Sequence, residues 1–313
     1  MLTLNHCQSQ NGPSSLKAFL KTLNMSKPLI VVTGKNGQLG SEFQLLAPSF
    51  HAQYDFLFVD RSQLDLSSND SIDNFFVTHK PSIVINCAAY TAVDKAETDR
   101  EAAFQINATA TGKLAAHAKT LDALFITVST DYVFNGNGTV PYLPSDATDP
   151  VNFYGESKAV GEALALTNNP NSIIIRTSWV YSRFGNNFVK TMIRLMGERP
   201  SLNVVGDQIG APTYAADLAA AIMHIVVQKA AGNKHSGLYH YSNSGAISWY
   251  DFAVAIAKLI HSNCAVANIG TEAFPTPSKR PHYSLMDCSA IIQDFGVEQP
   301  YWEDSLKTCI PLI

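Results

Sequence analysis

Tyr154 and Lys158 are side chains whose types and spacing could do acid–base chemistry. They stand four residues apart in a stretch, Phe153–Thr167, that is predicted to be a helix, so they share one helical face. A free tyrosine has a pKa of about 10 and is a poor acid at neutral pH. A nearby ammonium group stabilises the phenolate and lowers that pKa, which brings the phenol closer to useful proton transfer. Because this spacing is common by chance, a solvated pair on a helix surface is the alternative.

A glycine-rich turn follows the first predicted strand and opens a helix. Its glycines, Gly34, Gly37 and Gly40, have the spacing G-x-x-G-x-x-G, which permits a tight turn and lets backbone N–H groups approach a pyrophosphate. Asp60 ends the second predicted strand 20 residues after Gly40, where a carboxylate can accept hydrogen bonds from the ribose of an adenosine. This context favours dinucleotide binding over a plain strand–turn–helix. Arg61 leaves both NAD and NADP open, because a guanidinium can hold a 2′-phosphate.

The third chemical group is a hydroxyl at the end of a predicted strand. The apolar run Leu124–Ser129 leads into Ser129-Thr130-Asp131-Tyr132-Val133-Phe134, and a hydroxyl at this strand end can hydrogen-bond a substrate carbonyl and orient it. The glycine-rich turn, this hydroxyl and the Tyr154–Lys158 pair together predict hydride transfer to or from a carbonyl carbon, with Tyr154 handling the proton.

Short apolar runs that alternate with helix-like stretches must position these groups. Strands are predicted at Leu29–Thr33, Asp55–Asp60, Ile83–Asn86, Leu124–Ser129 and Ile173–Arg176. Helices are predicted from the glycine turn to Ala47, at Asp70–His79 with Asp70 or Ser71 as the N-cap, at Arg100–Thr120 with Phe104, Ala108, Ala115 and Ala118 on one face, and at Phe153–Thr167. This alternation indicates an α/β fold with a doubly wound (Rossmann) parallel sheet, whose ligand crevice lies at the carboxyl ends of the strands.

The second half of the chain is less regular and is predicted to supply a smaller C-terminal substrate-binding lobe. Helices are predicted at Asn187–Met196, Asp217–Gln228 and Ser248–His261, a strand at Gly237–Tyr241 and an ordered loop at Phe274–Pro281. We expect residues 28–180, rejoined by 213–245, to form the NAD(P)-binding Rossmann domain, and residues 181–212 and 246–313 to form the lobe. Residues 1–27 are set aside as an N-terminal extension, with Met25 as an alternative start.

Composition excludes several classes of protein. The chain has 313 residues, of which 46% are apolar and 15% charged, so it can bury a full core and does not resemble a disordered protein. The net charge of −4, without a run of Lys or Arg, argues against nucleic-acid binding. Five widely spaced cysteines indicate reduced thiols and a cytoplasmic protein. The longest apolar run, Leu218–Val227, is far shorter than the ~20 residues that cross a membrane.

Several longer stretches extend these motifs and carry a resemblance to a known family. They are GKNGQLG (34–40), NCAAYTAVDKAE (86–97), STDYVFNG (129–136), FYGESKAVGE (153–162), RTSWVY (176–181), GNNF (185–188), DQIGAPT (207–213) and FPTPSKRP (274–281). From about Pro28 to its C-terminus the chain resembles the dTDP-4-dehydrorhamnose reductases of the extended short-chain dehydrogenase/reductase superfamily.

The resemblance implies reduction of the C4 ketone of dTDP-4-dehydro-L-rhamnose by NADPH or NADH, which gives dTDP-L-rhamnose in the last step of its synthesis. It implies that Tyr154 protonates the C4 oxygen, that Lys158 holds the nicotinamide ribose and that Thr130 orients the ketone. With the glycine turn included, the cofactor-binding positions are Gly34, Gly37, Gln38, Leu39, Gly40, Asp60, Asp65, Leu66, Ala88, Ala89, Tyr90, Tyr154 and Lys158.

Substrate contacts are implied for a second set of residues. Asp131 and Trp179, beside Thr130, match positions that contact the sugar nucleotide; tryptophan offers a flat apolar face, and lobe packing is its alternative role. Arg280 is predicted to clamp the diphosphate, which suits a planar guanidinium, although a surface arginine is an alternative.

A metal site is also implied. Glu42, Glu198 and Glu303 match three glutamates that bind Mg²⁺ at a homodimer interface in some family members, and oxygen ligands suit this cation. Three solvated glutamates are the alternative.

Two other functions would use much of the same sequence. An epimerase or dehydratase that retains its NAD would share the Tyr154–Lys158 pair, but it would not explain RTSWVY followed by DQIGAPT, and a dehydratase usually has Asp-Glu where this chain has Asp131-Tyr132. A non-catalytic, NADP-binding regulatory subunit of methionine adenosyltransferase would share STDYVF but lack the tryptophan and DQxGxPT stretches.

Overall fold

A six-stranded parallel sheet lies at the centre of the computed structural model, which describes residues 27–313. Within this part of the chain the strands are β1 Leu29–Thr33, β2 Asp55–Val59, β3 Ile83–Asn86, β4 Leu124–Thr130, β5 Ile173–Thr177, β6 Val180–Tyr181, β7 Ser201–Val205, β8 Ile209–Gly210, β9 Thr213–Tyr214, β10 Gly237–His240, β11 Ile247–Ser248 and β12 Ala265–Ile269. The central sheet has the order β2-β1-β3-β4-β5-β10, with every neighbouring pair parallel.

Helices cover both faces of this sheet. They are α1 Gln38–Leu46, α2 Asn69–Thr78, α3 Val93–Ala96, α4 Arg100–Phe104, α5 Ala110–Thr120, α6 Phe153–Asn168, α7 Phe188–Glu198, α8 Ala215–Ala230, α9 Trp249–Leu259, α10 Ser289–Phe295 and α11 Trp302–Cys309. This is the doubly wound α/β fold that the sequence predicts. Apart from Lys27, the predicted N-terminal extension lies outside the described residues.

Alternating side chains of the apolar strands build two cores, one on each face of the sheet. Ile30 and Val32 of β1 pack with α1, α8 and α10, whereas Val31 packs with α2 and α5. Strands that are buried on both faces need nearly continuous apolar runs, which is why these strands are predictable from the sequence.

A third core belongs to the second half of the chain. It joins α7, α9 and α11 to the parallel pair β7–β12 through residues such as Val189, Phe252 and Leu306. Helix α10, which the sequence predicts to belong to the smaller lobe, packs instead against the sheet through Ile291 and Phe295.

Two local predictions were wrong. Ser68, rather than Asp70 or Ser71, caps α2, because its hydroxyl accepts a hydrogen bond of 3.2 Å from the Ser71 N–H group. The predicted continuous helix at residues 100–120 is interrupted by a π turn, Gln105–Thr109, between α4 and α5.

The π turn changes which side chains of this segment are buried. Its extra residue rotates the later turns relative to α4, so that Ala108, Ala115 and Ala118 are buried while Phe104 is 38% exposed. The apolar face predicted for these four residues is therefore found for the three alanines and not for Phe104.

Residues 27–313 contain no helix with both the length and the apolar character that crossing a membrane requires.

Candidate active site

A cavity of about 850 Å³ opens where β1, β2, β3, β4 and β5 end. Its wall includes Gly34 after β1, Asp60 after β2, Ala88 after β3, Thr130 at the end of β4 and Ser178 after β5. The volume is at the upper end of the usual range for cofactor and ligand pockets. The position is the one expected for a ligand crevice of a doubly wound sheet.

The glycine-rich turn forms one end of the cavity and needs its glycines for close backbone contacts. Gly34 has a φ of +69°, and a Cβ there would lie 2.9 Å from the backbone nitrogen of Ala88. A Cβ on Gly40 would lie 2.3 Å from the carbonyl oxygen of Gly34. Gly37, the N-cap of α1, offers no side chain to the first N–H groups of the helix, so these remain available to an anion.

Most of the predicted cofactor-binding residues share this wall. They are Gly34, Gly37, Gln38, Leu39, Asp60, Asp65, Leu66, Ala88, Ala89, Tyr154 and Lys158. Gly40 and Tyr90 are not brought to the wall. Gly40 supports the turn from behind, and the Tyr90 hydroxyl donates to Asp99 at 2.9 Å.

Thr130, Tyr154 and Lys158 all line this cavity. Helix α6 begins just before Tyr154 because the Asn152 side chain accepts a hydrogen bond of 2.8 Å from the N–H group of Gly155. Lys158, one turn later, is buried and donates to the carbonyl oxygen of Val128 in β4 at 2.7 Å. The helix start and this bond together hold the tyrosine and the lysine against the end of β4.

Asn107 of the π turn holds α6 from its other side. Its amide nitrogen donates to the Ser157 hydroxyl at 3.0 Å, and its amide oxygen accepts from the N–H group of Tyr90 at 2.8 Å. Gly161 permits this close packing, because a Cβ there would lie 2.1 Å from the Asn107 carbonyl oxygen. Nothing in the helical periodicity of the sequence indicated this role for Asn107.

Burial dominates the electrostatics of the tyrosine–lysine pair. It raises the pKa of Tyr154 to about 12, an effect that a hydrogen bond with Thr130 opposes. It lowers the pKa of Lys158 to about 8, which the Glu162 carboxylate opposes. Contrary to the sequence prediction, the pKa of Tyr154 therefore does not lie below its usual value, because desolvation raises it. At neutral pH the phenol is therefore protonated, which is the form that can donate a proton.

Asp131 adds a buried carboxyl group beside these residues. One of its oxygens accepts from the Thr130 hydroxyl at 3.0 Å. The other, Oδ2, is buried and has no hydrogen-bond partner among the described residues. Burial raises the pKa of Asp131 to about 6, although the nearby hydroxyl groups of Ser284 and Thr130 oppose the shift. An unpaired acceptor in a cavity wall suits a hydroxyl group of a ligand.

Two stacked tryptophans form an apolar wall on the side of the smaller lobe. The rings of Trp179 and Trp249 lie 3.7 Å apart between centroids, with an angle of 13° between their planes, and both residues line the cavity. Trp179 has a φ of +47°, a left-handed conformation that is uncommon for such a side chain. The sequence predicts a substrate contact for Trp179 but not for Trp249, because no local spacing connects the first residue of α9 with β5.

Comparisons with known proteins agree on one family. The profile described as "RmlD substrate binding domain" matches residues 28–312. The dTDP-4-dehydrorhamnose reductase of Aggregatibacter actinomycetemcomitans is 40% identical over 285 residues, which cover 89% of this chain and 97% of that protein. The chain belongs to the dTDP-4-dehydrorhamnose reductase family.

Solved structures of this family have the same fold. The dTDP-4-dehydrorhamnose reductase of Clostridium acetobutylicum superposes with a TM-score of 0.86 at 39% identity, covering 91% of this chain and 99% of that one. The dTDP-4-dehydrorhamnose reductase of Bacillus anthracis, solved in complex with NADP, gives a TM-score of 0.85 at 37% identity, covering 92% and 100%. The resemblance, the fold class and the assignment to reductases are therefore confirmed.

Arg280, for which the sequence predicts a role at the diphosphate of the family's substrate, does not line the cavity. Its Nη2 donates to Asp94 at 2.9 Å, and its guanidinium lies 5.9 Å from the centre of the Tyr132 ring. Tyr132 does line the cavity, so Arg280 is one side chain removed from it.

The three glutamates matched to the family's magnesium site do not form such a site within one chain. Glu42 is buried and accepts from the Ser182 hydroxyl at 2.6 Å, with the Arg183 guanidinium 3.7 Å away. Glu198 pairs with Arg194 at 2.8 Å, and Glu303 lies 3.5 Å from the ammonium group of Lys307. Among residues 27–313 no group of three or more His, Cys, Asp and Glu side chains could hold a metal ion. Each of the three carboxylates thus already has a cationic neighbour within the chain.

Proposed function

We propose that this chain reduces the C4 ketone of dTDP-4-dehydro-L-rhamnose to the alcohol of dTDP-L-rhamnose, with NADPH or NADH as the hydride donor. The observation that carries the proposal is the meeting of Thr130, Tyr154 and Lys158 with the glycine-rich turn in one cavity. Membership of the reductase family supports the identity of the substrate.

Tyr154, Thr130 and Lys158 are proposed to have separate roles at the reacting carbonyl group. The nicotinamide cofactor, when bound, supplies a hydride to C4. Tyr154 donates its phenolic proton to the C4 oxygen as the negative charge develops there, and its raised pKa keeps that proton in place at neutral pH. Thr130 orients the ketone by a hydrogen bond. Lys158, largely protonated below its pKa of about 8, holds a ribose hydroxyl and stabilises the phenolate that the transfer leaves.

The sugar nucleotide is proposed to lie between the catalytic residues and the aromatic wall. The stacked rings of Trp179 and Trp249 offer an apolar face to the deoxysugar. The free Oδ2 of Asp131 accepts from a sugar hydroxyl group. Arg280 contributes indirectly, by holding the Tyr132 ring.

A stoichiometric assay with the purified protein tests this function. We expect one NADPH or NADH to be oxidised for each dTDP-4-dehydro-L-rhamnose consumed, with dTDP-L-rhamnose identified by mass spectrometry. Turnover of the sugar without net cofactor oxidation would instead support an epimerase. Binding of NADP without turnover of any 4-ketosugar would support a regulatory subunit.

The division of the chain into two lobes is also a proposal. The two cores on the sheet support a Rossmann domain made of residues 28–180 and 213–245, and the third core supports a substrate-binding lobe made of residues 181–212 and 246–313. The packing of α10 on the sheet adds Ser289–Phe295 to the Rossmann domain.

A homodimer and a cytoplasmic location complete the proposal. The four cysteines of the described residues, Cys87, Cys264, Cys288 and Cys309, are free thiols, as is usual in a reducing compartment. The net charge of −4 offers no field for nucleic acid. Light scattering in EDTA and in Mg²⁺ would test the oligomeric state and its dependence on metal together.

A further inference from the structure

A strap made of Ser278, Lys279 and Arg280 touches the wall of the active site from outside the cavity. It belongs to the stretch for which the sequence predicts an ordered loop, and all three residues lie outside the set that lines the cavity. Ser278 is only 1% exposed, so the strap is packed into the fold. The residues that it contacts, however, either line the cavity or hold the catalytic helix α6.

Asn152 joins the strap to the start of α6 through both ends of its amide group. Its Oδ1 accepts from the Gly155 N–H group at 2.8 Å and so caps the helix, whereas its Nδ2 donates to the carbonyl oxygen of Lys279 at 2.9 Å. An aspartate would cap a helix about as well but has no hydrogen to donate. Asn152 is buried, and Tyr154 lies in the helical turn that it caps. The amide therefore connects the strap to the backbone of the proton donor.

Glu97 makes a second connection to the same end of the helix. Its Oε1 accepts from the N–H group of Phe153 at 3.0 Å and lies 3.3 Å from the Ser278 hydroxyl. That hydroxyl also lies 3.0 Å from the carbonyl oxygen of Val93, which is a residue of the cavity wall. The Ser278 N–H group donates to Asp94 at 3.2 Å. The strap is therefore tied to α3 as well as to α6.

Arg280 extends these contacts to Tyr132, beside the proton donor. Its Nη2 donates to Asp94 at 2.9 Å, and its guanidinium lies 5.9 Å from the centre of the Tyr132 ring. That ring meets the Tyr154 ring edge to face, with 5.8 Å between centroids and an angle of 79°. A Cβ on Gly155 would lie 2.1 Å from the carbonyl oxygen of Tyr132, so α6 is in direct contact with this turn. The strap thus supports the surroundings of Tyr154 on two sides.

We propose that the strap is a positioning element for the reduction, in which Asn152 and Ser278 hold the first turn of α6 so that the Tyr154 phenol keeps its alignment with the carbonyl oxygen of the substrate. This inference rests on the proposed function, because it assumes that Tyr154 donates the proton. The strap lies outside the cavity wall and acts through α6. Loosening it should slow proton transfer and change ligand binding little, since a small displacement of a positioned group costs mainly rate.

Two substitutions loosen the strap and leave the catalytic side chains in place. Asn152→Asp keeps the helix cap and removes the donor to Lys279. Ser278→Ala removes the hydroxyl that lies near Glu97. Thermal melting of each variant checks its fold.

Asn233→Asp is the matched control, because Asn233 has the same pair of bonds at a distance from the active site. Its Oδ1 accepts from the His235 N–H group at 2.9 Å, and its Nδ2 donates to the carbonyl oxygen of Asp294 at 2.8 Å. It follows the end of α8 and lies outside the cavity wall.

We expect Asn152→Asp and Ser278→Ala each to lower kcat about tenfold, while the KM for dTDP-4-dehydro-L-rhamnose and the Kd for NADP⁺ stay within about threefold. The solvent deuterium isotope effect on kcat should increase, because transfer of the Tyr154 proton then limits turnover more strongly. A loss of folded enzyme lowers kcat without changing this ratio. Asn233→Asp should change none of these quantities. A kcat within about twofold of that of the unmodified protein, or a lowered kcat with an unchanged isotope effect, would overturn the proposal.

Hydrogen–deuterium exchange, measured without any sugar, separates a failure of this proposal from a failure of the proposed function. In Ser278→Ala the amides of residues 153–157 should exchange faster than in the unmodified protein, whereas those at the other end of α6 should not. If the unmodified protein does not reduce the sugar but this local change is found, the hold of the strap on α6 is supported and the proposed function alone fails. Unchanged exchange at residues 153–157 would show that the strap does not hold the helix.

Discussion

Tyr154 lies half-buried in the wall of the cavity and its phenol has a raised pKa, so at the scale of single residues the chemistry depends on its one proton. Replacing Tyr154 with Phe removes that proton and leaves the ring in place. We expect kcat to fall about 100-fold or more, because a positioned acid contributes a factor of this order. The affinity for NADPH, measured by titration without substrate, should stay within about twofold. Turnover near that of the unmodified protein would show that Tyr154 is not the proton donor.

Asp131 links the site to the stability of the fold. Its pKa is about 6 in the folded chain, above the usual value of 3.8, so the folded state holds the proton more tightly than the unfolded state does. The free energy of unfolding therefore loses a contribution as the pH rises through this interval, by at most about 3 kcal/mol at ~1.36 kcal/mol per pKa unit.

Asp131→Asn removes this titration. We expect the variant to gain stability relative to the unmodified protein between about pH 4 and pH 7, in urea unfolding measured across that range. It should also bind the sugar nucleotide less tightly, because the amide replaces a carboxylate acceptor. The exposed Asp55→Asn serves as the control. Stability differences independent of pH would contradict the cause assigned to the pKa.

At the scale of elements, α6 carries more than the tyrosine and the lysine. Glu162 follows Lys158 by one further turn and forms a buried, bidentate ion pair with Arg176 of β5, with distances of 2.7 to 3.2 Å. Its carboxylate opposes the lowering of the Lys158 pKa by burial. One face of α6 therefore carries Tyr154, Lys158 and Glu162 on successive turns.

Glu162→Gln should move the pKa of Lys158 below about 8, so the basic limb of the pH profile of kcat/KM shifts to lower pH. Glu156→Gln, on the exposed side of the same helix, is the control and should leave the profile in place. Since Arg176 loses its partner, the single variant should also melt earlier. The double variant Glu162→Gln with Arg176→Met should recover part of that stability and keep the shifted limb. If the basic limb of the pH profile does not move in either variant, the ion pair contributes to stability alone and does not affect the pKa of Lys158.

The elements differ in how far the sequence could predict them. The strands of the central sheet were predicted to within a residue or two at each end, because a strand buried on both faces requires a nearly unbroken apolar run such as Leu29–Thr33. The π turn at Gln105–Thr109 was missed, since periodicity reports the average pitch of a helix and not one extra residue. The ion pair between Lys35 and Asp60 was also missed. The two residues are brought close only by a backbone hydrogen bond between a turn and a strand.

At the scale of the whole molecule, the cavity joins the sheet to the smaller lobe. Gln38 of the glycine-rich turn accepts from Asn187 at 2.9 Å and donates to the carbonyl oxygen of Val180 at 3.3 Å. Trp179 follows the sheet strand β5, whereas Trp249 begins α9 of the lobe. The stacked pair therefore spans the two halves of the chain, which sequence motifs could not reveal.

The tryptophan stack gives a prediction at this scale. We expect Trp249→Ala to raise the KM for the sugar nucleotide about tenfold while the affinity for NADPH stays unchanged, because Trp179 loses the ring that holds it. Trp179→Ala should have a similar effect. The double variant should be little worse than either single one, since the two rings act as a unit. Additive losses would mean that each ring contacts the substrate on its own.

The surplus residue in the π turn has a consequence for the catalytic helix. Shortening Gln105–Thr109 by one residue would wind α4 and α5 into the regular helix that periodicity suggests, and would carry every later side chain about 100° around its axis. The clamp from Asn107 to Ser157, three residues beyond Tyr154, would then be lost. A regular helix at residues 100–120 would therefore be incompatible with the contact that holds the helix of Tyr154 in place.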